Sequence, residues 1–385
     1  MGRLVALSLN RQGYQVTLFD KDDKNGQQSA AYAAAGLLTP LGEAMHCPSN
    51  IVAMGFASLQ LWPELLASLS GYNFFQQTGA IVVSHEQDIG DYQRLKRFLA
   101  NNYRQHQQQQ LNRQQLSALE PELARRFSQA LFLPEEGQIG NRKLLLALKQ
   151  QLLAEGVNWH CKTTVIGIEH DHLPKKGKLT FKSGNAIEST IESAIESTQM
   201  FDLMIDCRGT GAMLSSGNSQ CNNAVLKDLR AIRGELFQLF APDVNISRPV
   251  RLMHPRYQLY IAPKGKGHFV VGATEIESAD TNPMTVRSAM ELLSAAYSIH
   301  PGFAEANIRQ NVSQLRPAFN DNQPKIISNG NLIQVNGLYR HGFLIAPVVL
   351  SQIQEHVGHL LRPTNQVRSA YQYSHLLPIT KVATN

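Results

Sequence analysis

The first residue that could do chemistry is an acidic one placed directly behind a short β-rich run. Residues 2–12 predict a short apolar helix, and Gly13 can end that helix in a conformation with positive φ. Residues 15–19 then form a β-rich run that Asp20 closes. This order of helix, glycine, strand and acid is the second half of a dinucleotide-binding βαβ unit. In such a unit the acidic side chain accepts hydrogen bonds from the ribose hydroxyls.

Most of the glycine-rich turn that opens such a unit does not occur in the sequence. Gly2 stands where the third glycine would allow a helix to pack closely on a strand, and the first two glycines and the first strand would lie before Met1. Judged against a unit of roughly 30 residues, the chain is expected to begin about a dozen residues late. From these residues alone, an ordinary αβ unit without a nucleotide stays open as the alternative.

A second candidate segment, Ser29 to Pro40, is small, apolar and contains a glycine. Small side chains let a backbone approach a flat ligand closely, which would suit a ring or a diphosphate beside the chain. The plainer alternative for this segment is the start of an alanine-rich helix.

The composition favours a globular, mildly basic protein. The 385 residues allow two or three domains of about 100–200 residues each. The net charge of +6 suits a small anionic ligand, whereas the lack of dense Lys/Arg runs argues against nucleic acid. No apolar stretch approaches the roughly 18 residues that span a bilayer. Cys47, Cys161, Cys207 and Cys221 fit neither a metal site nor a disulfide framework. We therefore expect a reduced, cytoplasmic protein.

The pattern of elements predicts βα units at both ends of the chain and a β-rich middle. Helices are expected at 51–70 (with a break or kink at Pro63), 87–101, 143–155, 285–298 and 344–361. The Gln-rich stretch 106–115 is interpreted as a solvated segment, and the Ile-Glu-Ser repeats of 187–198 as the extension of a surface hairpin. This order indicates an α/β fold in which a discontinuous nucleotide domain carries an inserted antiparallel sheet with helices.

Five segments, ordered along nearly the whole chain, carry a family resemblance. They are residues 2–20, residues 29–40, Asp-Cys-Arg-Gly at 206–209, HPRYQLYIAPKGKGHFVVGAT at 254–274, and LRPAFNDNQP at 315–324 with GLYRHGFLIAP at 337–347. Together these segments resemble the FAD-dependent D-amino acid oxidase family, and in particular its glycine oxidase-like branch, which belongs to the thiamine pathway.

The resemblance implies a Rossmann-like FAD-binding domain of the glutathione-reductase type and a substrate domain built on an antiparallel sheet. The FAD-binding domain would comprise residues 1–45, 130–215 and 325–385, and the substrate domain residues 46–129 and 216–324. The residues that would contact FAD are Gly2, Asp20, Ala30, Ala31, Ala35, Gly36, Leu37, Val165, Gly209, Leu338, Tyr339, Arg340, His341, Gly342, Phe343 and Leu344.

Three positions match the family's substrate contacts, and one of them, Arg340, is also among the expected FAD contacts. Arg316 matches the arginine that holds the substrate carboxylate, a role for which its planar fork is suited. Tyr260 matches a tyrosine that donates to the same carboxylate, and Arg340 matches the arginine on the loop over the flavin. The plainer alternatives are a surface Arg-Pro turn, a sheet aromatic with Tyr257 as the substitute, and a loop cap. Arg208 is expected to anchor the turn after its strand.

The resemblance implies oxidative deamination of glycine or another small amino acid or amine, with FAD as electron acceptor. Hydride transfer would yield an imine, dioxygen would be the final acceptor, and hydrogen peroxide would form. An enzyme of thiamine biosynthesis is the expected partner, and a homo-oligomer is compatible with the sequence. Two alternatives stay open. One is a D-amino-acid dehydrogenase or secondary-amine oxidase with another acceptor, and the other is a truncated, non-catalytic remnant.

Overall fold

The computed structural model describes residues 1–184, 195–217, 226–254, 259–361 and 371–382. Within these ranges the chain forms nine α-helices, and none of them is both long enough and apolar enough to cross a membrane. The helices are α1 (Gly2–Arg11), α2 (Pro40–Glu43), α3 (Ser49–Ala67), α4 (Ile89–Asn102), α5 (Arg113–Leu119), α6 (Pro121–Ala124), α7 (Asn141–Ala154), α8 (Val286–Ile299) and α9 (Gly342–Leu361).

Strands alternate with these helices and gather into several sheets. Over the same ranges they are β1 (Thr17–Phe19), β2 (Leu37–Leu38), β3 (Phe75–Gln76), β4 (Ala80–Ser84), β5 (Gln109–Asn112), β6 (Gln129–Leu133), β7 (Gly137–Ile139), β8 (Asn158–His160), β9 (Thr163–Glu169), β10 (Gly177–Ser183), β11 (Ile195–Phe201), β12 (Met204–Asp206), β13 (Arg230–Phe240), β14 (Val250–Met253), β15 (Leu259–Pro263), β16 (His268–Gly272), β17 (Ile276–Glu277), β18 (Asn307–Ala318), β19 (Lys325–Asn329), β20 (Leu332–Asn336) and β21 (Ile379–Lys381).

Two separate sheets flank the beginning of α1. Strand β1 pairs in parallel with β8, while β12 pairs in parallel with β20, which continues into β19 and β21. Gly2 lies between these sheets, because a Cβ at this position would be 3.7 Å from Cys207 Cβ and 3.9 Å from Leu18 Cδ1. The predicted close approach of helix and strand at Gly2 is therefore present.

A hydrophobic core joins α1, α3, α7 and α9 to these strands, with Leu7 and Trp62 among its buried members. Gly55 of α3 permits close packing on α9, since a Cβ there would be 2.9 Å from Leu344 Cδ1. The helix α3 continues through Pro63 rather than breaking there. Tertiary packing of its apolar residues outweighs the hydrogen bond that the proline cannot donate.

The largest sheet has nine strands in the order β17, β13, β16, β15, β14, β4, β6, β5, and β18 pairs with β13 as well. Its described pairs are antiparallel except β14 with β4. The long strands β13 and β18 pair along almost their whole length, which places Arg316 opposite Ile232. Helix α8 packs on this sheet through a second apolar core. The sheet therefore supplies a rigid wall in which single side chains have fixed positions.

The structure adds local detail to two sequence interpretations. The Gln-rich stretch is mostly exposed, as predicted, and it contains β5 and the start of α5. Asn112 caps that helix by accepting from the Gln115 backbone N–H, and the Gln115 side chain accepts from the Asn112 N–H. Of the Ile-Glu-Ser repeats, Ile195 to Thr198 lie on β11, antiparallel to β10, as expected for a hairpin. The other repeats fall on residues 185–194, outside the described residues. The predicted domain boundaries stay a prediction.

Candidate functional site

A single large cavity connects all the predicted site residues. Its volume is about 3160 Å³, whereas ligand pockets in proteins measure roughly 300–1,000 Å³. The cavity therefore has room for a dinucleotide cofactor together with a substrate. Its lining includes Gly2, Asp20, Ala30, Ala31, Ala35, Gly36, Leu37, Val165, Gly209, Tyr260, Arg316, Leu338, Tyr339, Arg340, His341, Gly342, Phe343 and Leu344. Tyr257, the substitute for Tyr260, lies outside the described residues.

One end of the cavity suits the nucleotide half of FAD. The ten-residue helix α1 begins at Gly2 without a side-chain cap, so its first backbone N–H groups are available to an anion such as a diphosphate. Asp20 lines the same end, and burial raises the pKa of its carboxyl group. The Asp20 Oδ1 atom accepts from the Asp22 N–H at 3.1 Å, which leaves Oδ2 for a ligand hydroxyl. These donors and acceptors match a diphosphate next to a ribose.

The small-residue segment is fixed beside the cavity by β7 and the start of α7. Gly36 has φ +69°, and a Cβ there would collide with the Ile139 carbonyl oxygen. The Ile139 N–H donates to the Gly36 carbonyl at 2.7 Å. Asn141 Nδ2 donates to the carbonyls of Ala31 (2.9 Å) and Tyr32 (3.0 Å). This segment is therefore not the start of a helix. Its backbone is held beside the space that a flat ligand would occupy.

The turn after β12 is anchored as predicted. Arg208 donates from Nε and Nη2 to the two carboxylate oxygens of Asp206, each at 2.9 Å, and from Nη1 to the Val165 carbonyl at 3.2 Å. Gly209 follows with φ +58°, a conformation that favours glycine. Arg208 thus ties the turn to β9 and keeps Val165 at the cavity wall.

Two glycines in the large sheet make room for the predicted substrate contacts. A Cβ at Gly234 of β13 would collide with the Arg316 guanidinium, and a Cβ at Gly272 would be 2.8 Å from Tyr260 Oη. Gly272 pairs directly with Tyr260 across β15 and β16. Both side chains can therefore lie across neighbouring strands and face the cavity.

Arg316 keeps most of its hydrogen-bonding capacity unused. Its Nη1 donates to the Thr274 carbonyl at 3.1 Å, and its Nε and Nη2 have no partner among the described residues. No carboxylate in the described part of the chain forms an ion pair with it. Burial lowers the pKa of Arg316 and raises the pKa of the neighbouring Tyr260. A charged fork beside a neutral phenol is an arrangement that suits an incoming carboxylate.

Arg340, in contrast, is already paired with protein carboxylates. Its Nη2 lies 2.7 Å from Glu43 Oε2, and its Nη1 donates to Glu275 Oε2 at 2.8 Å. The other oxygen of Glu275 accepts from the Tyr339 hydroxyl, and Glu43 is also paired with Arg251. Burial alone would lower the pKa of Arg340, but the two carboxylates outweigh it and raise that pKa. The substrate role assigned to Arg340 by the resemblance stays a prediction.

The glutamates of this network were not identified from the sequence. Glu43 and Glu275 lie 232 positions apart in the chain, and neither belongs to a local motif. Burial alone would raise the pKa of Glu43, yet Arg251 and Arg340 outweigh it and keep that pKa below the usual range. Only the position of Glu43 in α2, close behind the small-residue segment, could have singled it out. Both glutamates line the same cavity as Arg316.

The start of α9 forms the wall at the other end of the cavity. Gly342 begins this 20-residue helix, whose N-terminal end favours negative charge on a ligand. His341 is buried just before it, and burial lowers the pKa of its imidazole to about 4. The imidazole is therefore neutral at pH 7, and its Nε2 has no hydrogen-bond partner within the described ranges. An unpartnered polar atom and a helix N-terminus together fit the polar edge of a flavin ring.

Comparison with known proteins places the chain among flavoenzymes. The family model described as "DAO: FAD dependent oxidoreductase" matches residues 1–349. A protein of Rhizobium etli, assigned by its name to thiamine biosynthesis as the oxidoreductase ThiO, is 34% identical over 91% of this chain and 92% of that protein. The bifunctional protein ThiO/ThiG of Synechocystis is 25% identical over 91% of this chain and 49% of that protein.

The solved structures support the same architecture. The crystal structure of glycine oxidase from Geobacillus kaustophilus superposes with a TM-score of 0.76 and 21% identity, covering 96% of each chain. At this identity the likeness concerns the fold. The predicted combination of a Rossmann-like FAD-binding domain with a sheet-bearing substrate domain is confirmed.

Replacing Gly36 by alanine tests the segment beside the cofactor. An alanine there must adopt positive φ, at about 1–2 kcal/mol, and must also displace the Ile139 carbonyl. We expect Gly36→Ala to weaken FAD binding by about tenfold or more, measured by titrating apoprotein and following flavin fluorescence. The matched control is Gly13→Ala, because Gly13 has φ +88° and its Cβ would meet nothing within 4 Å. Equal FAD affinity in the two variants would contradict this assignment.

The protonation state of Glu136, a buried acid behind the site, can be tested through protein stability. Its side chain is buried, Gly42 N–H donates to Oε1 at 2.8 Å, and burial raises its pKa to about 8. The folded protein keeps this proton up to about pH 8, whereas the unfolded chain loses it near pH 4.5. The free energy of unfolding therefore falls between these pH values.

We expect Glu136→Gln to remove this decrease in the free energy of unfolding with rising pH. Its Tm should exceed the wild-type Tm at pH 8 by an amount equivalent to a few kcal/mol, and the difference should shrink at pH 5. Thermal unfolding at both pH values measures the effect, with Glu64→Gln as an exposed control. A difference in Tm that is the same at both pH values would show that Glu136 is ionised in the folded protein.

Proposed function

This chain belongs to the DAO family of FAD-dependent oxidoreductases, as its sequence resemblance predicted, and from that premise we propose that it oxidises glycine or another small amino acid. FAD is its cofactor, and its substrates belong to the amino acids and amines. We propose that the products are an imine and, with dioxygen as final acceptor, hydrogen peroxide. The observation that carries this proposal is the Arg316 guanidinium, which has no carboxylate partner among the described residues and lies beside Tyr260 in the cavity that the predicted FAD contacts also line.

Substrate binding is the main task of the protein's own side chains. Arg316 would bind the carboxylate through two N–H groups, and the neutral Tyr260 hydroxyl would donate a further hydrogen bond to it. Bound FAD supplies the acceptor for the two electrons that leave the substrate. Fixing the substrate carbon against that acceptor lowers the barrier by several kcal/mol, because orientation is obtained at binding rather than during reaction.

Exclusion of water is the second task of the cavity wall. Ala33, Ala35 and Leu37 line the cavity and belong to the apolar cluster that contains Tyr260. An amino acid that binds as a zwitterion must first lose one proton from its ammonium group. A poorly hydrated pocket favours the resulting neutral amine, whose lone pair can assist loss of hydride from the neighbouring carbon. Oxidation converts the C–N single bond to C=N, with one hydride and one proton leaving the substrate. Water then hydrolyses the imine unless another enzyme takes it.

A place in thiamine biosynthesis is supported by two relatives. The Rhizobium etli protein carries that pathway in its name, and in Synechocystis the matching segment shares a chain with ThiG. We propose that a thiamine-pathway enzyme consumes the imine formed here. Such a transfer would protect the imine from hydrolysis.

Arg316→Ala should abolish turnover of glycine and leave FAD bound. Removal of one partner of a charged pair costs about 2–5 kcal/mol, which corresponds to a loss of roughly 30-fold to several thousandfold in kcat/KM. The measurement is steady-state oxidation of glycine together with the flavin absorbance of the purified variant. Arg230→Ala is the control, because Arg230 lies on the adjacent β13 but pairs with Glu277 and Asn322 outside the cavity. Near-normal glycine oxidation by Arg316→Ala would refute this carboxylate site.

The final acceptor is tested separately from the substrate. With glycine, sarcosine and D-alanine in turn, we expect peroxide formation in air to match substrate consumption one to one. Adding an artificial electron-accepting dye should increase the rate of substrate consumption only slightly. Peroxide assays and dye reduction with the same enzyme preparation provide the comparison. Dye reduction without peroxide would instead identify a dehydrogenase that uses another acceptor.

A further inference from the structure

We propose that Glu275 binds the substrate amine while Arg316 binds the substrate carboxylate. This inference rests on the proposed function and deepens it, because it assigns the second charged group of an amino acid to a specific side chain. It also predicts the substrate class: a compound with a carboxylate and an amine on the same carbon, in preference to a carboxylate alone.

The backbone places the two opposite charges next to each other. Arg316 Nη1 donates to the carbonyl of Thr274, the residue directly before Glu275. Both Arg316 and Glu275 line the cavity, and the Glu275 side chain is 48% exposed within it. In a zwitterionic amino acid the two charged groups are likewise attached to one carbon. A cation and an anion on neighbouring residues of one wall are therefore complementary to such a ligand.

Two neighbouring side chains hold the Glu275 carboxylate in one orientation by hydrogen bonds. Its Oε1 accepts from the Tyr339 hydroxyl and its Oε2 accepts from Arg340 Nη1. Two carboxylate oxygens provide about four lone-pair sites, so two sites stay available for N–H groups of a ligand. A carboxylate fixed in this way loses little rotational freedom when the ligand binds.

Arg340 offsets only part of the charge at Glu275, because it is shared with a second carboxylate. Its second nitrogen lies 2.7 Å from Glu43, so one guanidinium stands between two carboxylates. Glu43 is paired in turn with Arg251. The paired groups Glu43, Glu275, Arg251 and Arg340 therefore sum to zero charge, and Arg316 adds one positive charge for the substrate carboxylate. The ammonium group is then directed to the only one of these carboxylates with a largely exposed side chain.

A matched pair of inert ligands separates this role from a structural one. 2-Aminoisobutyrate has no hydrogen on its α-carbon and cannot be oxidised, while isobutyrate has the same carbon skeleton without the amine. In the FAD-loaded Glu275→Gln protein, we expect calorimetry to show binding of 2-aminoisobutyrate weakened by about tenfold or more. Binding of isobutyrate should stay within about twofold of wild type. Glutamine keeps one oxygen that can accept from Arg340, and its Nε2–H can donate to the Tyr339 hydroxyl oxygen, so the wall can keep two hydrogen bonds here.

Kinetics and a second variant complete the test. For glycine, Glu275→Gln should raise KM more than it lowers kcat. Tyr339→Phe, which removes one hydrogen bond to Glu275, should weaken 2-aminoisobutyrate binding to a smaller extent. Glu277→Gln is the matched control, because Glu277 is two residues further along, pairs with Arg230 and does not line the cavity. It should bind both ligands as wild type does.

Two results would overturn the inference while the proposed function stands. One is wild-type affinity for 2-aminoisobutyrate in Glu275→Gln, and the other is an equal loss of both ligands, which would mean that Glu275 only supports the wall. A wild-type enzyme that oxidises no amino acid and binds neither ligand would refute the proposed function and the inference together.

Discussion

Two arginines in the same cavity wall differ in their ion pairing, and the proposed substrate site depends on that difference. Arg340 is neutralised by Glu43 and Glu275, whereas Arg316 has no carboxylate partner among the described residues. Placing a charged group away from bulk water without a partner is unfavourable. A guanidinium kept in that state, with Nε and Nη2 unused, is prepared for an anionic ligand. Substrate binding, the choice of a carboxylate and the orientation of the reacting carbon all follow from this unpaired charge.

The fold makes this arrangement possible through backbone rather than side chains. Gly234 and Gly272 lie on adjacent strands of the large sheet and leave the space into which Arg316 and Tyr260 extend. The pairing of β13 with β18 then fixes the position of Arg316 along the wall. On the opposite side, α1 and the start of α9 present their N-terminal ends to the same cavity. Two domains of different architecture thus contribute complementary halves of one site.

Local patterns explain why part of this site was predictable. The succession of α1, β1 and Asp20 was predicted from residues adjacent in the sequence. The structure contains the helix and the strand in that order. Arg251 and Glu43, in contrast, are 208 positions apart and meet only through tertiary packing. Glu275 had no motif of its own, since its importance comes from Tyr339 and Arg340. For the Gln-rich stretch, composition predicted exposure to solvent, which the structure shows, but it did not predict the Asn112–Gln115 capping box that starts a helix there.

The most direct test of the unpaired charge is a crystal structure of the FAD-loaded protein with acetate, a carboxylate that cannot be oxidised. We expect the acetate oxygens to lie within hydrogen-bonding distance of the Arg316 guanidinium and the Tyr260 hydroxyl. The methyl group should point toward the flavin. Acetate bound to Arg340 in place of Glu43 or Glu275, with Arg316 left without it, would contradict the account.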